Sequence, residues 1–303
     1  MTSRAVLSCL TLALTTLTAG PVALDAAGGA AAAQAPHPVL VGVHATHHSP
    51  AGGAAFDRVA FRFDGGLPSS VRVRYVKRVV ADGSGLPVRV PGRARLAVRF
   101  SPADAHDASG STAPARVAFR LPNVMTAVRS GDFEAVTSYG LGLARRTPVR
   151  VLRLHHPARI AVDVGAAFRT VPRRVYFFDS AAFTANQEPF FRFVRRPVVP
   201  QEPARAVLDR LFAGPLPSER ATGLRLLRSG ATGLIGPSIR DGVARVRMTG
   251  GCSSGGSTVT LAGEVVPTLK QFPTVHWVKI YDPSGQTEHP RGHTDSIPTC
   301  LEP

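Results

Sequence analysis

Between residues 39 and 164 apolar and polar positions alternate in short runs separated by clusters of Gly, Pro, Asp and Ser. That is the pattern of an all-β sandwich or barrel, and no run there has the length or spacing of a long helix. In residues 56–63, Val59, Phe61 and Phe63 fall on one side of a strand and Arg58, Ala60 and Arg62 on the other. In the next run Val71, Val73 and Tyr75 oppose Arg72, Arg74 and Arg78. Residues 101–114 read as a polar, mobile loop, and residues 166–173, with Pro172, as a linker. Beyond it, residues 175–178 and 190–194 predict strands. Residues 203–213 predict a helix: Pro203 opens it, Val207, Leu208, Leu211 and Phe212 form one stripe, and Gly214-Pro215 stops it.

The pattern then turns from strand to helix and back. The Asp241-Gly242 turn starts a strand over 243–248, and a glycine-serine turn follows. Val259, Leu261, Val265, Val266 and Leu269 predict a helix over 258–271, capped by Ser257 and kinked at Pro267, where a backbone bond is lost. Pro273 ends it, and residues 275–281 return as a strand that stops at the turn 282–285. The expected fold is therefore an all-β sandwich followed by a small α+β domain.

Length permits this: 303 residues suffice for two cores. The first 35 residues read as a secretory signal, with Arg4, an apolar run from Ala5 to Leu24 and small residues up to Ala35. Cleavage after Ala35 would leave Pro36 next, so cuts near Ala26 or Ala32 remain open, as does retention of the segment as an anchor. Cys9 belongs to the signal. In an oxidising compartment the two remaining cysteines, Cys252 and Cys300, are expected to pair and tie the C-terminal tail to the glycine turn.

Charge adds a candidate chemistry. The net charge is +16, and Lys77, Lys270 and Lys279 are the only lysines among 36 basic residues. Arginine favours planar carboxylate and phosphate partners. Outside the cytoplasm that points to wall polymers or lipid headgroups before nucleic acid. If the strands over 56–63 and 71–75 are neighbours, Arg58, Arg62, Arg72 and Arg74, with Arg78 beyond, form an outward ladder that repels itself unless an anion screens it. The alternative is a solvated face reflecting an arginine-rich composition.

Catalytic readings compete. Residues 251–255, GCSSG, fit the nucleophile-elbow pattern with Ser253 as nucleophile, and Asp282 followed by His289 or His293 gives the matching order. The chain before it lacks the repeated strand-helix units and second oxyanion loop that such hydrolases need. Cys252 as a nucleophile would require a free thiolate. Asp132 and Glu134, two apart on an expected strand and so on one face, could form a glycosidase pair. His44, His47 and His48, or His289 and His293 near Glu288 and Asp295, could offer ligands to zinc, but neither group has a third ligand in register. Asp282, Glu288 and Asp295 lack the pattern of a calcium loop. No P-loop, dinucleotide fingerprint or zinc-protease motif occurs. No metal, cofactor or nucleic-acid partner is expected.

Two family resemblances sharpen this reading. FDRVAFRFDGG (56–66), VRYV (73–76), DGSG (82–85), GDFEAVTSYGLGL (131–143) and PARIAVDV (157–164) resemble the AMIN-like domain of secreted actinobacterial proteins. For related AMIN domains the resemblance implies a β-sandwich that localises proteins to the envelope, with peptidoglycan as proposed ligand; it carries over no binding residues. VYFF (175–178), ARAVLDRLFAGP (204–215), DGVARVRM (241–248) and TLKQFPTVHWVKIYDPSG (268–285) resemble the sporulation and spore-germination domain GerMN. That implies a small α+β association module without assigned catalysis. Together they imply a secreted, envelope-associated, non-enzymatic protein. The sandwich, residues 39–165, would bind peptidoglycan or another anionic polymer, and the domain over 174–303 would bind a protein partner or itself.

Overall fold

The computed structural model describes residues 37–303, and the expected signal segment lies outside the described residues. The alternating runs become β1 (Val39–His48), β2 (Phe56–Asp64), β3 (Ser70–Tyr75), β4 (Val79–Val80), β5 (Pro87–Val88), β6 (Ala94–Ser101), β7 (His106–Asp107), β8 (Gly110–Ser111), β9 (Arg116–Ala118), β10 (Val124–Phe133), β11 (Val136–Leu143), β12 (Val149–His155) and β13 (Ala158–Gly165). Two antiparallel sheets result, ordered β1-β2-β13-β12 and β3-β6-β11-β10-β9. Their inward positions meet in one core: Phe61 packs edge-on against Phe100 and Tyr139, with ring centres 4.9 and 5.5 Å apart. All three rings are fully buried, and each apolar ring contributes about 1.5–3 kcal/mol. The sandwich is as the alternation predicts.

Residues 101–114 depart from the expected mobile loop. Ala103, Ala105 and Ala113 enter the core, and β7 and β8 pair as a small hairpin. Small apolar residues spaced among polar ones give little hydrophobic signal, but they fit where larger ones would not.

A second departure shapes the surface. Residues 79–92 form an arm, including β4 and β5, that lies on the outer face of the five-stranded sheet. There Val79, Val90 and Val128 make a satellite cluster. Glycines of β11 admit the arm: a Cβ at Gly142 would sit 2.1 Å from the Pro91 carbonyl oxygen, and one at Gly140 would sit 2.7 Å from Val79. Only a residue without a side chain permits that approach.

The second half opens with β14 (Val171–Asp179), which starts earlier than the expected strand, so residues 171–173 pair with β15 instead of forming linker. There follow α1 (Ser180–Thr184), β15 (Phe191–Val198), α2 (Pro203–Ala213), α3 (Pro217–Ala221), β16 (Leu224–Arg225), β17 (Ala231–Arg240), β18 (Val243–Gly250), α4 (Ala262–Lys270) and β19 (Trp277–Tyr281). The sheets are β15-β14-β16 and β17-β18-β19, and β18 and β19 are parallel, with α4 as their crossover. This half is α+β, as expected.

Helix α2 has the predicted ends, with Pro203 first and Gly214 as C-cap. Helix α4 is shorter than predicted. The Ser257 hydroxyl turns back to the Val259 backbone instead of capping a helix, and the entry at Leu261 is held by the Ser229 hydroxyl. The helix runs on through Pro267 to Lys270. Cys252 and Cys300 are joined, with Cα atoms 5.7 Å apart, and Ser254 N–H donates to the Cys300 carbonyl. The tail is further pinned by buried Lys279, whose ammonium donates to the carbonyls of His289 and Arg291.

One arginine ties the two halves together. Arg210 of α2 is 1% exposed and donates to the carbonyls of Leu121, Pro122 and Phe119, at 2.6, 3.0 and 3.4 Å, in the segment between β9 and β10. The same segment is held from the other side by Asp57, fully buried, which accepts from Asn123 N–H and Val124 N–H. Arg93 pairs with Glu202, and Arg145 donates to Gln201. Burial lowers the Arg210 guanidinium to about 9, so it stays charged at neutral pH.

Candidate functional site

The expected arginine ladder is divided. β2 belongs to the four-stranded sheet and β3 to the five-stranded one. Both strands turn their apolar residues to the same core, so Arg58 and Arg62 emerge on one side of the sandwich and Arg72 and Arg74 on the other. Strand alternation gave each residue its outward direction but not which sheet it would join. Arg58 is also committed: its guanidinium makes two parallel bonds, 2.6 and 2.7 Å, to Asp163, which raise its pKa, and it lies over the Phe56 ring. Arg62 is exposed on the same sheet, opposite Arg159.

On the five-stranded sheet the charges converge. Arg72 of β3 lies directly opposite Arg99 of β6, and Arg99 lies opposite Ser138 of β11. Arg74 and Arg78 complete the rim of a depression of about 180 Å³, whose floor includes Ser138 and Tyr139. Among the described residues its one carboxylate is Asp82, 4.0 Å from Arg99. Asp82 is seated there because Gly131 has no side chain: a Cβ would fall 2.2 Å from its carboxylate oxygen. The Ser138 hydroxyl is buried and, among the described residues, has no hydrogen-bond partner. Like charges directly across a strand pair destabilise it, and an unpaired buried hydroxyl adds to that cost. An oxyanion on this face would relieve the repulsion between the arginines. Arg99 and Ser138 were not among the sequence candidates, because their place beside Arg72 depends on strand order.

Arg78 also faces a second concavity, which lies between the arm and the α+β half. This cleft, of about 320 Å³, is bordered by Arg95 and Arg116 of the sandwich and by Arg205, Asp209 and Arg228 of the second half.

The catalytic constellations do not assemble. The Ser253 hydroxyl accepts from Gly255 N–H, and the Asp282 carboxylate is taken by Ser284 and Gln286. Among the described residues no hydrogen bond joins Ser253 to Asp282, His289 or His293. Cys252 is in the disulfide. Glu134 is not on a strand with Asp132: Glu134 and Ala135, both at positive φ, form the two-residue turn between Phe133 and Val136. The pair therefore lacks the shared face that a strand would give.

Several of the candidate metal ligands have other partners. His47 bonds to Asp57, His48 stacks on Phe56, and Asp295 is engaged by Lys270 and Val278 N–H. One cluster not foreseen brings ligand atoms of Asp104, His106 and Asp132 within 4.8 Å of one another. Asp132 there accepts from Ala105 N–H, Thr137 and His106, and Arg129 places a positive charge 3.5 Å from it. Burial would raise the Asp132 carboxyl, but those hydrogen bonds outweigh it and hold it below its ordinary value; the same bond raises His106. The cluster is a latch on the loop 101–114.

Residues 38–166 match the family described as the AMIN-like domain. Residues 174–281 match the family described as sporulation and spore germination. The chain thus carries an AMIN-like domain followed by a GerMN domain, and both are non-catalytic-type families. This pairing suggests an envelope-associated protein, and with the disulfide it is consistent with an extracytoplasmic one. No curated protein and no solved structure matches the chain.

Proposed function

We propose that this is a secreted, non-catalytic protein of the cell envelope that binds an anionic wall polymer through the five-stranded sheet of its AMIN-like domain. The observation that carries this reading is the directly opposed pair Arg72 and Arg99, flanked by Arg74 and Arg78, beside one carboxylate and the unpartnered Ser138 hydroxyl. Exposed arginines in a row contact successive charges of a polymer weakly and together hold it by multivalency. Arg58 contributes to the sandwich through Asp163, and Arg62, on the opposite sheet, is outside the binding face. The GerMN domain would hold a protein partner, or a second copy, along the edge strand β15. There Phe193 is 42% exposed and Arg195 lies over its ring.

Co-sedimentation of the protein with purified cell wall over a salt series tests the polymer reading. Pelleting should weaken as salt screens the charges, and Arg72→Gln with Arg99→Gln should weaken it sharply, whereas Arg62→Gln should leave it unchanged. Wall stripped of phosphate-bearing polymers separates those polymers from peptidoglycan carboxylates as ligand. A protein that stays in the supernatant at low salt would overturn the reading. Sedimentation velocity across a concentration series reports self-association through the second domain.

A further inference from the structure

The cleft between the two halves is a different kind of site from the sheet face. Its cations are drawn from four separate places: Lys77 and Arg78 before the arm, Arg89 and Arg95 around its end, Arg116 on β9, and Arg205 and Arg228 from the second half. Among the described residues Asp209 is the single acid lining it. Asp209 is only 4.0 Å from Arg205, one helical turn away on α2, and burial pushes its carboxyl above the ordinary range. Seven cations thus face one weakened counter-charge.

These cations are also poorly placed for water alone to satisfy. Burial lowers the guanidinium of Arg116 to about 10, with Arg228 adding repulsion, and burial likewise lowers Arg95 and Arg228. Arg116 donates from Nη2 to the Arg89 carbonyl, while its Nη1 is buried and has no partner among the described residues. A guanidinium desolvated on one side and left with an unused donor is a costly arrangement, and an anion in the cleft would offset part of that cost through its charge. A phosphate group presents its acceptor oxygens tetrahedrally, three of them with up to two negative charges in a monoester and two with one charge in a diester, which suits several guanidinium forks converging from different elements.

The walls are not wholly polar. Val88 and Val90 of the arm and Leu234 and Ile235 of β17 are among its lining residues, and Ile235 is 49% exposed. The volume lies at the low end of small-molecule sites, roughly 300–1,000 Å³. Phosphate and a short carbon skeleton fit these dimensions and this lining.

We propose that the interdomain cleft is a specific binding site for a phosphate ester, with the phosphate held by Arg116, Arg228 and Arg95 and its organic part against Val90, Leu234 and Ile235. The ester is either a free small molecule or one unit of a phosphodiester-linked polyol polymer. Because half the site comes from each domain, occupancy also fastens the AMIN-like domain to the GerMN domain. The proposal is independent of what the sheet face binds.

Calorimetry and thermal unfolding of the full protein with glycerol 3-phosphate test it at fixed ionic strength, with acetate and chloride as controls. One saturable site, a rise in unfolding temperature absent with the controls, and at least a tenfold loss of affinity in Arg116→Gln with Arg228→Gln are expected. Arg72→Gln with Arg99→Gln should leave this affinity unchanged, which separates failure here from failure of the polymer reading. Should the double variant fold poorly, Ile235→Trp blocks the exposed mouth without altering charge and should weaken binding to the same extent. Competition by a poly(glycerol phosphate) chain identifies the polymer as source, and its absence a free ester. Equal effects of phosphate ester and chloride, or undiminished binding in both Arg116→Gln/Arg228→Gln and Ile235→Trp, would overturn the site.

Discussion

Glu264 shows how much a single buried group can bias this protein. It lies on α4, fully buried, and its carboxylate accepts from Phe178 N–H of β14 and from Leu227 N–H. Burial drives its pKa well above the ordinary carboxylate value, and the two backbone donors only partly oppose that. A raised folded pKa means that the group's contribution to stability is fully present below its unfolded value and is lost as pH rises through the folded one. Stability should therefore fall from about pH 4.5 upward, at up to about 1.4 kcal/mol per pH unit, and Glu264→Gln should flatten that slope in urea titrations. Gly142→Ala makes a different demand. Its new methyl would meet the Pro91 carbonyl at 2.1 Å, so the arm must lift, with an expected loss of about 1–3 kcal/mol and disturbed resonances for Val79 and Val90.

At the scale of elements, two closures hold segments that the strands alone leave free. The disulfide fixes the tail to the glycine turn across 48 residues of sequence. Reduction should cost about 4 kcal/mol in thermal or denaturant unfolding and loosen residues 282–303 first. The loop 101–114 depends on the bond between His106 and Asp132, which raises the histidine. Its stabilisation is complete below the unfolded histidine value and is lost as pH rises through the raised one. Hydrogen exchange at Ala103 and Ala105, corrected for intrinsic rates, should thus show weaker protection at about pH 8.5 than at about pH 6, and His106→Ala should remove the difference. Helix α2 was legible to its ends because Pro203, Gly214 and the apolar stripe all act locally. The start of α4 was not, since Ser229, distant in sequence, decides it.

Across the whole molecule the interdomain junction rests on Arg210. Arg210→Met would leave the carbonyls of Phe119, Leu121 and Pro122 without their donor, an expected loss of about 3 kcal/mol or more. If the junction makes the two domains one cooperative unit, the variant's urea transition should broaden or split into two; a single transition merely shifted to lower urea would mean that the domains unfold together without it.

The amino-acid sequence by itself determined the order and class of the two domains, the outward direction of Arg58, Arg62, Arg72 and Arg74, and the disulfide pair. Alternation, helical stripes, caps and cysteine number act over a few residues or by count. Only the tertiary structure decided which arginines would meet. Arg58 and Arg72 share a pattern, yet strand order sends one to Asp163 and sets the other against Arg99. Arg116, Arg205 and Arg228 look like scattered surface charges until the arm, seated on Gly140 and Gly142, and helix α2, clasped by Arg210, bring them around one cleft. The physical reason is that side-chain direction is set by the local backbone, whereas the neighbours of a charge are set by packing between residues far apart in the chain.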